Sequence, residues 1–211
     1  MRGKFWTAAL TASVLMLSSV SAEACSRTLP DKAVTTLVPA KGINQDLLET
    51  AIRTEVNFHR CRAGLPQVSD AGNGLTRQAH THSKWMARTG QLAHKSTIAG
   101  SATLMQRIKK SGVRFRTGSE NIGMVHRYQI DNRRFRILDA QSCSFATSDG
   151  QRLPAHSYAT LARHIVTLWM GSPGHRKNIL DRKVKAMSSA AAFDAKAQNC
   201  GRFWVTQNFI G

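Results

Sequence analysis

The sequence predicts an α+β protein made of one domain, with helices covering a small sheet. Two observations support this class: amphipathic helical stripes dominate the first half of the chain, and apolar runs suited to strands come mostly at its end. A length of 211 residues suits one well-packed domain, and 42% hydrophobic residues are enough for a globular core. Neither number identifies a reaction.

Residues 1–24 have the features of a cleaved secretory signal peptide. Arg2 and Lys4 give a positive start, an apolar stretch follows, and Ala22-Glu23-Ala24 forms an A-x-A cleavage site. Attachment of lipid to Cys25 is the alternative, but the residues before it lack the usual leucine and include a glutamate. We therefore expect a secreted or periplasmic protein with no transmembrane segment in the mature chain.

Four cysteines remain after this cleavage, and an even number in an exported chain predicts disulfide bonds. Four cysteines allow three pairings, which the sequence does not decide. We favour Cys25–Cys61, which would tie down the N-terminal segment, and Cys143–Cys200, which would pin a long connection to the C-terminal strands. No C-x-x-C spacing is present, so we expect neither a redox motif nor a zinc site made of thiolates.

The helices follow from apolar stripes at helical spacing. Residues 25–43 contain prolines and show no such stripe, so we expect an extended N-terminal segment before a domain of residues 44–211. Within the domain, glycine or proline ends each of four predicted helices, the third of which begins at a Ser101 cap. Their approximate limits are 44–63, 74–89, 101–111 and 157–170.

Three apolar runs predict strands, over residues 120–125, 184–193 and 202–210. A long connection, residues 127–156, separates the first strand from the fourth helix and carries several arginines followed by serine, aspartate and glycine. A connection of this length usually serves a function or is specific to a family. The order of helices, strand, helix and strand pair is typical of helices packed on a small sheet.

Several short phrases are more specific than these periodic patterns. They are Val56–Arg60 with Gly64-Leu65-Pro66, Ala79–Ser83 with Met86-Ala87, His94, Arg107-Ile108, Glu120-Asn121-Ile122, Trp169–Leu180 and Trp204–Phe209. In this order and spacing they resemble the bacterial branch of the CAP superfamily, also called SCP, PR-1-like or cysteine-rich secretory protein domains. The resemblance covers residues 44–211. It implies a three-layer α-β-α sandwich with a central cleft.

The resemblance also implies a site in that cleft, where family members often gather two histidines and acidic residues and some bind a divalent metal. Matched residue by residue, the set is His94, Glu120 and His175. Two imidazoles and a carboxylate suit zinc, so the same three residues are the candidate metal ligands, with zinc as the candidate cofactor. The second cleft glutamate of eukaryotic members has no counterpart in Leu168–Ser172, which argues against tight metal binding.

Other interpretations of these residues are structural. Glu120 could accept backbone N–H bonds and fix a loop, and His82 lies on an apolar stripe, which favours a hydrogen-bonded core histidine. His80 and His82 are two apart on a helix and point away from each other, so they cannot share an ion. The chain has no G-x-S-x-G, H-E-x-x-H or phosphate-binding glycine loop, and we assign no catalytic residue.

The chain is strongly basic, with 30 lysines and arginines against 12 acidic residues and a formal charge of +18. Removing Arg2, Lys4 and Glu23 with the signal peptide lowers this charge to +17. Such a charge favours anionic surfaces such as lipopolysaccharide, lipid head groups or acidic polysaccharide. Nucleic acid would be attracted without specificity, but no recognition motif supports it as a partner. A basic, solvated exterior without a partner is the alternative.

These observations leave three hypotheses. The first is a secreted or periplasmic binding module whose cleft holds a small ligand or ion and whose exterior meets an anionic envelope component. The resemblance adds a small apolar ligand as an alternative, because some eukaryotic relatives bind sterols or lipids. The second hypothesis is a metal-assisted hydrolase using the same three residues, and the third is a purely structural envelope protein. The oligomeric state is not predicted.

Overall fold

A computed structural model describes residues 25–211, so the predicted signal peptide lies outside the described residues. None of the helices in this range is long and apolar enough to cross a bilayer. The elements are α1 (Asp31–Thr35), α2 (Gln45–Arg62), β1 (Ser69–Asp70), α3 (Asn73–Thr89), α4 (Leu104–Ser111), β2 (Gly118–His126), β3 (Arg136–Asp139), β4 (Ser144–Ala146), α5 (Tyr158–Gly171), α6 (Pro173–Ile179), β5 (Ala186–Asp194) and β6 (Arg202–Ile210).

A four-stranded sheet in the order β1-β5-β6-β2 forms the middle layer. β6 pairs antiparallel with both β5 and β2, whereas the two residues of β1 run parallel to β5. In this register Glu120 lies opposite Asn208 and Asn121 lies opposite Gln207. Because successive strand residues point to opposite faces, Glu120 and Asn121 reach the two different helical layers.

Helices cover both faces of the sheet, and successive side chains of β6 pack alternately on the two helical layers. Phe203, Val205 and Phe209 belong to the larger core, whereas Trp204 and Ile210 pack on the opposite face with α3 and α4. The helical side of the larger core comes from α2 and α5, with Leu48, Ile52, Val56, Leu161, Ile165 and Trp169. The α+β class and the three-layer α-β-α sandwich are therefore confirmed.

Close packing of α5 on β2 depends on Gly123. A Cβ atom at this position would lie 2.7 Å from Cδ1 of Ile165 and 3.2 Å from Nε1 of Trp169. With no side chain in the way, the Trp169 indole donates to the Ile122 carbonyl at 3.0 Å. This contact aligns the last turns of α5, and so the start of α6, against β2.

The helix limits agree with the predictions except at the start of α4. Asn44 caps α2 by accepting from the Leu47 amide, and Gly90 ends α3 in the left-handed conformation. The cap of α4 is Thr103, so the prediction of Ser101 was wrong. Thr103 accepts from the Gln106 amide while the Gln106 side chain accepts from the Thr103 amide, and this capping box outweighs a lone serine upstream.

Short elements were missed where the sequence offers too few residues for periodicity. The N-terminal segment, predicted as extended, contains α1 and buries Ala33 and Val38 in the larger core. Pro173 begins a further helix, α6, instead of only ending α5, because proline is well suited to the first helical turn. The long connection contains the β3–β4 hairpin, with its own apolar cluster of Ile130, Phe145 and Leu153.

Both favoured disulfides are present in the structure. Cys25 pairs with Cys61 and Cys143 pairs with Cys200, with Cα–Cα distances of 5.4 and 5.9 Å. The first bond holds the N-terminal segment against the end of α2. The second ties the β3–β4 hairpin to the turn that precedes β6.

Candidate functional site

Glu120 is the centre of the candidate site. Its side chain is only 2% exposed, and both carboxylate oxygens have partners. Oε2 accepts a hydrogen bond of 2.6 Å from the Arg107 guanidinium, and Oε1 accepts one of 2.9 Å from Nδ1 of His94. The structure therefore brings together His94 and Glu120, as the resemblance implied, and adds Arg107.

Arg107 lies on α4 and is completely buried, so its charge needs partners inside the protein. Besides Glu120, its guanidinium donates to the carbonyls of Ser101, Ala102 and His94 at 3.1–3.3 Å. These bonds fasten the loop of residues 94–102 to α4 and β2. Arg107 consequently fixes the backbone of His94 while Glu120 fixes its ring.

The His94 ring is the accessible part of this arrangement, with 59% of its side chain exposed. Its Nδ1 donates to a carboxylate that already carries an arginine partner. Nε2 is therefore left for an external group, and an imidazole oriented through one nitrogen can bind through the other. The exposed His94 ring is therefore held in an orientation that lets Nε2 contact a ligand at the protein surface.

His175 reaches the same region from α6. Its carbonyl accepts from the Asn121 amide at 3.3 Å, and Asn178 donates to the Glu120 carbonyl at 3.2 Å and to the Asn121 side chain at 2.9 Å. Burial lowers the pKa of His175, and the charge of His94 lowers it further. No hydrogen bond, ion pair or ring contact among the described residues joins the His175 ring to His94 or Glu120, so His175 reaches the site through its backbone carbonyl.

His82 lies behind the carboxylate and is fully buried, as predicted for a core histidine. Nε2 donates to the Ala93 carbonyl at 3.0 Å and stands 4.0 Å from Oε1 of Glu120, and the ring stacks on Trp85. Burial is the main cause that lowers the pKa of His82 to about 4. The imidazole is therefore neutral at neutral pH and supports the loop that carries His94.

Acid should weaken the fold through His82. The unfolded chain takes up a proton at this imidazole below its ordinary pKa of 6.5, whereas the folded chain does so only near pH 4. The stability from this group is therefore complete above pH 6.5 and is lost progressively as the pH falls to about 4. In His82→Gln we expect the loss of unfolding free energy between these pH limits to shrink by on the order of 3 kcal/mol.

The measurement is the thermal unfolding midpoint of both proteins across this pH range, followed by circular dichroism. His156, whose pKa burial also lowers to about 4, acts in the same direction, whereas Glu49, whose pKa burial raises to about 7, acts in the opposite direction, and both contribute to the pH dependence that remains in the variant. If the unfolding midpoint depends on pH equally in wild type and in His82→Gln, the conclusion that His82 is buried and neutral is contradicted.

The predicted zinc set does not fit a divalent ion in this arrangement. Both oxygens of Glu120 are engaged, one of them by a buried positive charge that would stand beside the metal. Within residues 25–211, no group of three or more histidine, cysteine, aspartate or glutamate side chains could hold a metal ion. We therefore derive no chemical step through a metal at His94, Glu120 and His175.

Arg107 is the site residue that sequence reasoning missed, although Arg107-Ile108 is among the phrases that carry the family resemblance. A signal was present, because Arg107 adjoins the buried Ile108 on a short helix that is otherwise mostly polar. An arginine on the inner face of a helix requires an internal acid, and Glu120 is the nearest acid that follows it in the chain.

Comparison with known proteins gives one family and a set of similar structures. A model of the CAP family, described as the cysteine-rich secretory protein family, matches residues 53–209. No curated protein sequence matches the chain. A solved structure of an extracellular protein containing an SCP domain from Bacillus anthracis is 23% identical, with a TM-score of 0.52 over 79% of this chain. This likeness shows a shared fold.

Two further solved structures are similar to a lower degree. An outer surface protein from Borrelia burgdorferi is 14% identical, with a TM-score of 0.48 over 75% of this chain and 89% of its own. A cysteine-rich secretory protein from Staphylococcus aureus is 15% identical, with a TM-score of 0.44 over 82% of this chain. This chain covers 41% of the Bacillus anthracis protein and 40% of the Staphylococcus aureus protein.

Proposed function

Since the chain belongs to the cysteine-rich secretory protein (CAP) family, we propose that it is a non-enzymatic binding module that works outside the cytoplasm. In this proposal, the cleft of His94, Glu120 and His175 receives an anionic group of a cell-envelope component. Export is supported by the signal-peptide features of residues 1–24 and by the two disulfides. The Bacillus anthracis protein of similar fold is itself described as extracellular.

The observation that carries the proposal is the internal neutralisation of Glu120. Arg107 compensates the carboxylate, so Glu120 does not repel an approaching anion as a free acid would. The exposed His94 ring and the half-buried His175 ring then face the anion, and His94 donates to it through Nε2 only as an imidazolium, because its Nδ1 already donates to Glu120. Exposed Lys95, beside His94, and exposed Arg176, beside His175, add positive charge at the same place.

A second surface would contribute attraction of lower specificity. The connection before and within β3 exposes Arg133, Arg134 and Arg136. Next to these arginines, Ile137 and Leu138 are 55% and 48% exposed. Cationic side chains beside exposed apolar ones suit the interface of an anionic membrane. This arginine surface would increase encounters, while the cleft would select the bound group.

The test compares two pairs of substitutions in sedimentation with phosphatidylcholine vesicles that contain phosphatidylglycerol. His94→Gln/His175→Gln should bind at least about 100-fold more weakly than wild type, because two hydrogen bonds to a charged group are lost. His59→Gln/His80→Gln is the matched control and should bind normally. A parallel titration with the acidic polysaccharide polygalacturonate distinguishes phosphate from carboxylate ligands.

The outcomes separate the hypotheses. If the cleft pair binds like wild type and only added salt weakens binding, the cleft plays no part and the basic exterior accounts for the attraction. If the cleft pair instead has a lower melting temperature and unchanged binding, these histidines are structural. Under the proposal the melting temperature stays within a few degrees of wild type, since His94 is exposed.

A further inference from the structure

A second polar site lies beside α5, where the long connection of residues 127–156 packs on this helix. It is a cavity of about 290 Å³, which we call the α5 cavity. Its lining is polar or charged throughout and shares no residue with the cleft: Gln129, Asp131, Arg133, His156, Thr160, Arg163, His164 and Thr167. Its volume is near the lower limit for small-molecule sites, so the cavity suits a small polar group.

Helix α5 supplies half of this lining from a single stripe. Thr160, Arg163, His164 and Thr167 recur at the spacing i, i+3, i+4 and i+7, so they share one face of the helix. The apolar face of α5 packs in the larger core. The polar stripe is therefore turned toward the long connection, and its side chains are available to a group that enters the cavity.

His156 gives the cavity a buried polar atom without a partner. The residue is only 3% exposed, and no described residue forms a hydrogen bond with its Nε2 atom. Nε2 of His164, whose ring centroid lies 5.6 Å from that of His156, is also buried and unpartnered. A buried polar atom left unsatisfied costs free energy, which a ligand with a complementary group would recover.

The hydrogen bonds around His156 allow its Nε2 to be a donor. The Thr160 hydroxyl lies 3.1 Å from Nδ1 of His156 and 3.2 Å from the Ser157 carbonyl, so its single proton goes to one of them. When it goes to Nδ1, the ring proton is on Nε2, and the Ser157 hydroxyl donates to the Thr160 oxygen at 3.3 Å. A ligand that accepts hydrogen bonds selects this tautomer.

Arg133 gives the α5 cavity a positive charge that is not compensated. Its guanidinium forms no ion pair with any residue in the described range 25–211, whereas Arg163 is paired with Glu55 at 3.3 Å. Burial is the main cause that lowers the pKa values of His156 and His164, and the charge of Arg133 lowers both further. Arg133 therefore acts on both imidazoles and lacks a partner anion.

The carboxylate of the lining is already engaged. Asp131 accepts at Oδ1 from Nδ1 of His126 at 2.5 Å and at Oδ2 from the His126 backbone amide at 2.9 Å. Burial opposes the ionisation of Asp131, but these hydrogen bonds outweigh that effect and lower its pKa. Glu55 is shared between Arg163 and Arg27, so the arginines of this region outnumber the acids and an anion is favoured over a cation.

We propose that the α5 cavity binds a phosphomonoester, with the Arg133 guanidinium and Nε2 of His156 as its main donors. A phosphate group offers several acceptor oxygens, and the planar guanidinium can meet two of them at once. His156 is buried, whereas the Arg163 side chain is 56% exposed, so the phosphate lies inward and the rest of the ligand extends past Arg163 to the solvent. The proposal does not depend on the function of the cleft.

The test is an NMR titration of uniformly labelled protein that carries His94→Gln/His175→Gln, so that the cleft does not contribute. Glycerol phosphate is added at constant ionic strength while the imidazole nitrogens of His156 and His164 are followed. We expect saturable shifts at both rings, with the His156 proton on Nε2. Glycerate, a carboxylate of similar size, should bind at least about tenfold more weakly, because it offers fewer acceptor oxygens.

Two further substitutions in the same background test the donors. Arg133→Gln and His156→Gln should each weaken the binding of glycerol phosphate at least about tenfold, because each removes a hydrogen bond to a charged group. Arg182→Gln removes the same charge from an exposed position outside the cavity lining and is the matched control. It should leave the affinity unchanged. Circular dichroism checks the fold, and Arg133→Gln changes an exposed side chain, so its folding should not be affected.

Sedimentation with phosphatidic acid vesicles distinguishes the two sources of a phosphomonoester. Vesicle binding that His156→Gln weakens would identify a lipid head group, whereas binding of glycerol phosphate without such an effect would identify a free phosphomonoester. The proposal is overturned if glycerol phosphate shifts neither His156 nor His164, if Arg133→Gln and Arg182→Gln bind alike, or if glycerate binds as tightly as glycerol phosphate. Missing shifts of His94 and His175 in the wild-type protein would count against the cleft alone.

Discussion

Replacing Arg107 with methionine should destabilise the folded protein by about 3–5 kcal/mol, because Glu120 would remain buried with an uncompensated charge. The loss also frees three carbonyls that Arg107 now satisfies, in the loop that carries His94. The measurement is urea unfolding at neutral pH. An exposed arginine of the same region, replaced as Arg114→Met, is the control and should change the stability by less than about 0.5 kcal/mol.

A double-mutant cycle then isolates the ion pair. Glu120→Gln alone should also be destabilising, since it leaves the Arg107 charge buried, but Arg107→Met/Glu120→Gln should cost clearly less than the sum of the two single changes. Additive costs would show that the two side chains act independently. That outcome would contradict the central place of this ion pair in the candidate site.

Removal of the Cys143–Cys200 disulfide is the second large effect that we expect. The bond closes a loop with a sequence separation of 57 residues, and its loss as Cys143→Ala/Cys200→Ala should cost about 2–5 kcal/mol. Both cysteines also pack against the apolar cluster of the β3–β4 hairpin. Amide hydrogen exchange should therefore accelerate first in residues 127–156.

The matched control for this change is Cys25→Ala/Cys61→Ala, with a separation of 36 residues. Its stability cost should be similar or slightly smaller, because loop-closure entropy grows slowly with length. Exchange in residues 127–156 should then stay as slow as in wild type. A loss below about 1 kcal/mol in Cys143→Ala/Cys200→Ala would show that the hairpin is held by its apolar cluster alone.

The sequence predicted the long elements well, because α2, α3 and α5 carry helical apolar stripes and β5 and β6 are apolar runs of nine residues. The short helices α1 and α6 were missed because five or seven residues cannot display a helical stripe. The β3–β4 hairpin was missed because β3 is exposed throughout and the three residues of β4 are too few to show alternation. Local pattern reasoning fails where tertiary contacts determine the structure.

The same limit applies to the sites. His94 and Glu120 came together in prediction only through the family phrases, since 26 residues separate them and no local spacing links them. His126, His156 and His164 had no spacing that marked them as partners, and the folding of the long connection onto α5 makes them neighbours. For Arg107, the available physical signal was that an arginine on the inner face of a helix needs an acidic partner inside the protein.

The cleft proposal depends most directly on whether an anion contacts both His94 and His175. The measurement is the imidazole nitrogen spectrum of uniformly labelled protein, recorded by NMR while inorganic phosphate and then glycerol phosphate are added at constant ionic strength. We predict saturable shifts of the His94 and His175 resonances, with His59 and His80 unchanged. Shifts of equal size at His59 and His80, or none at His94 and His175, would contradict the proposed anion-binding cleft.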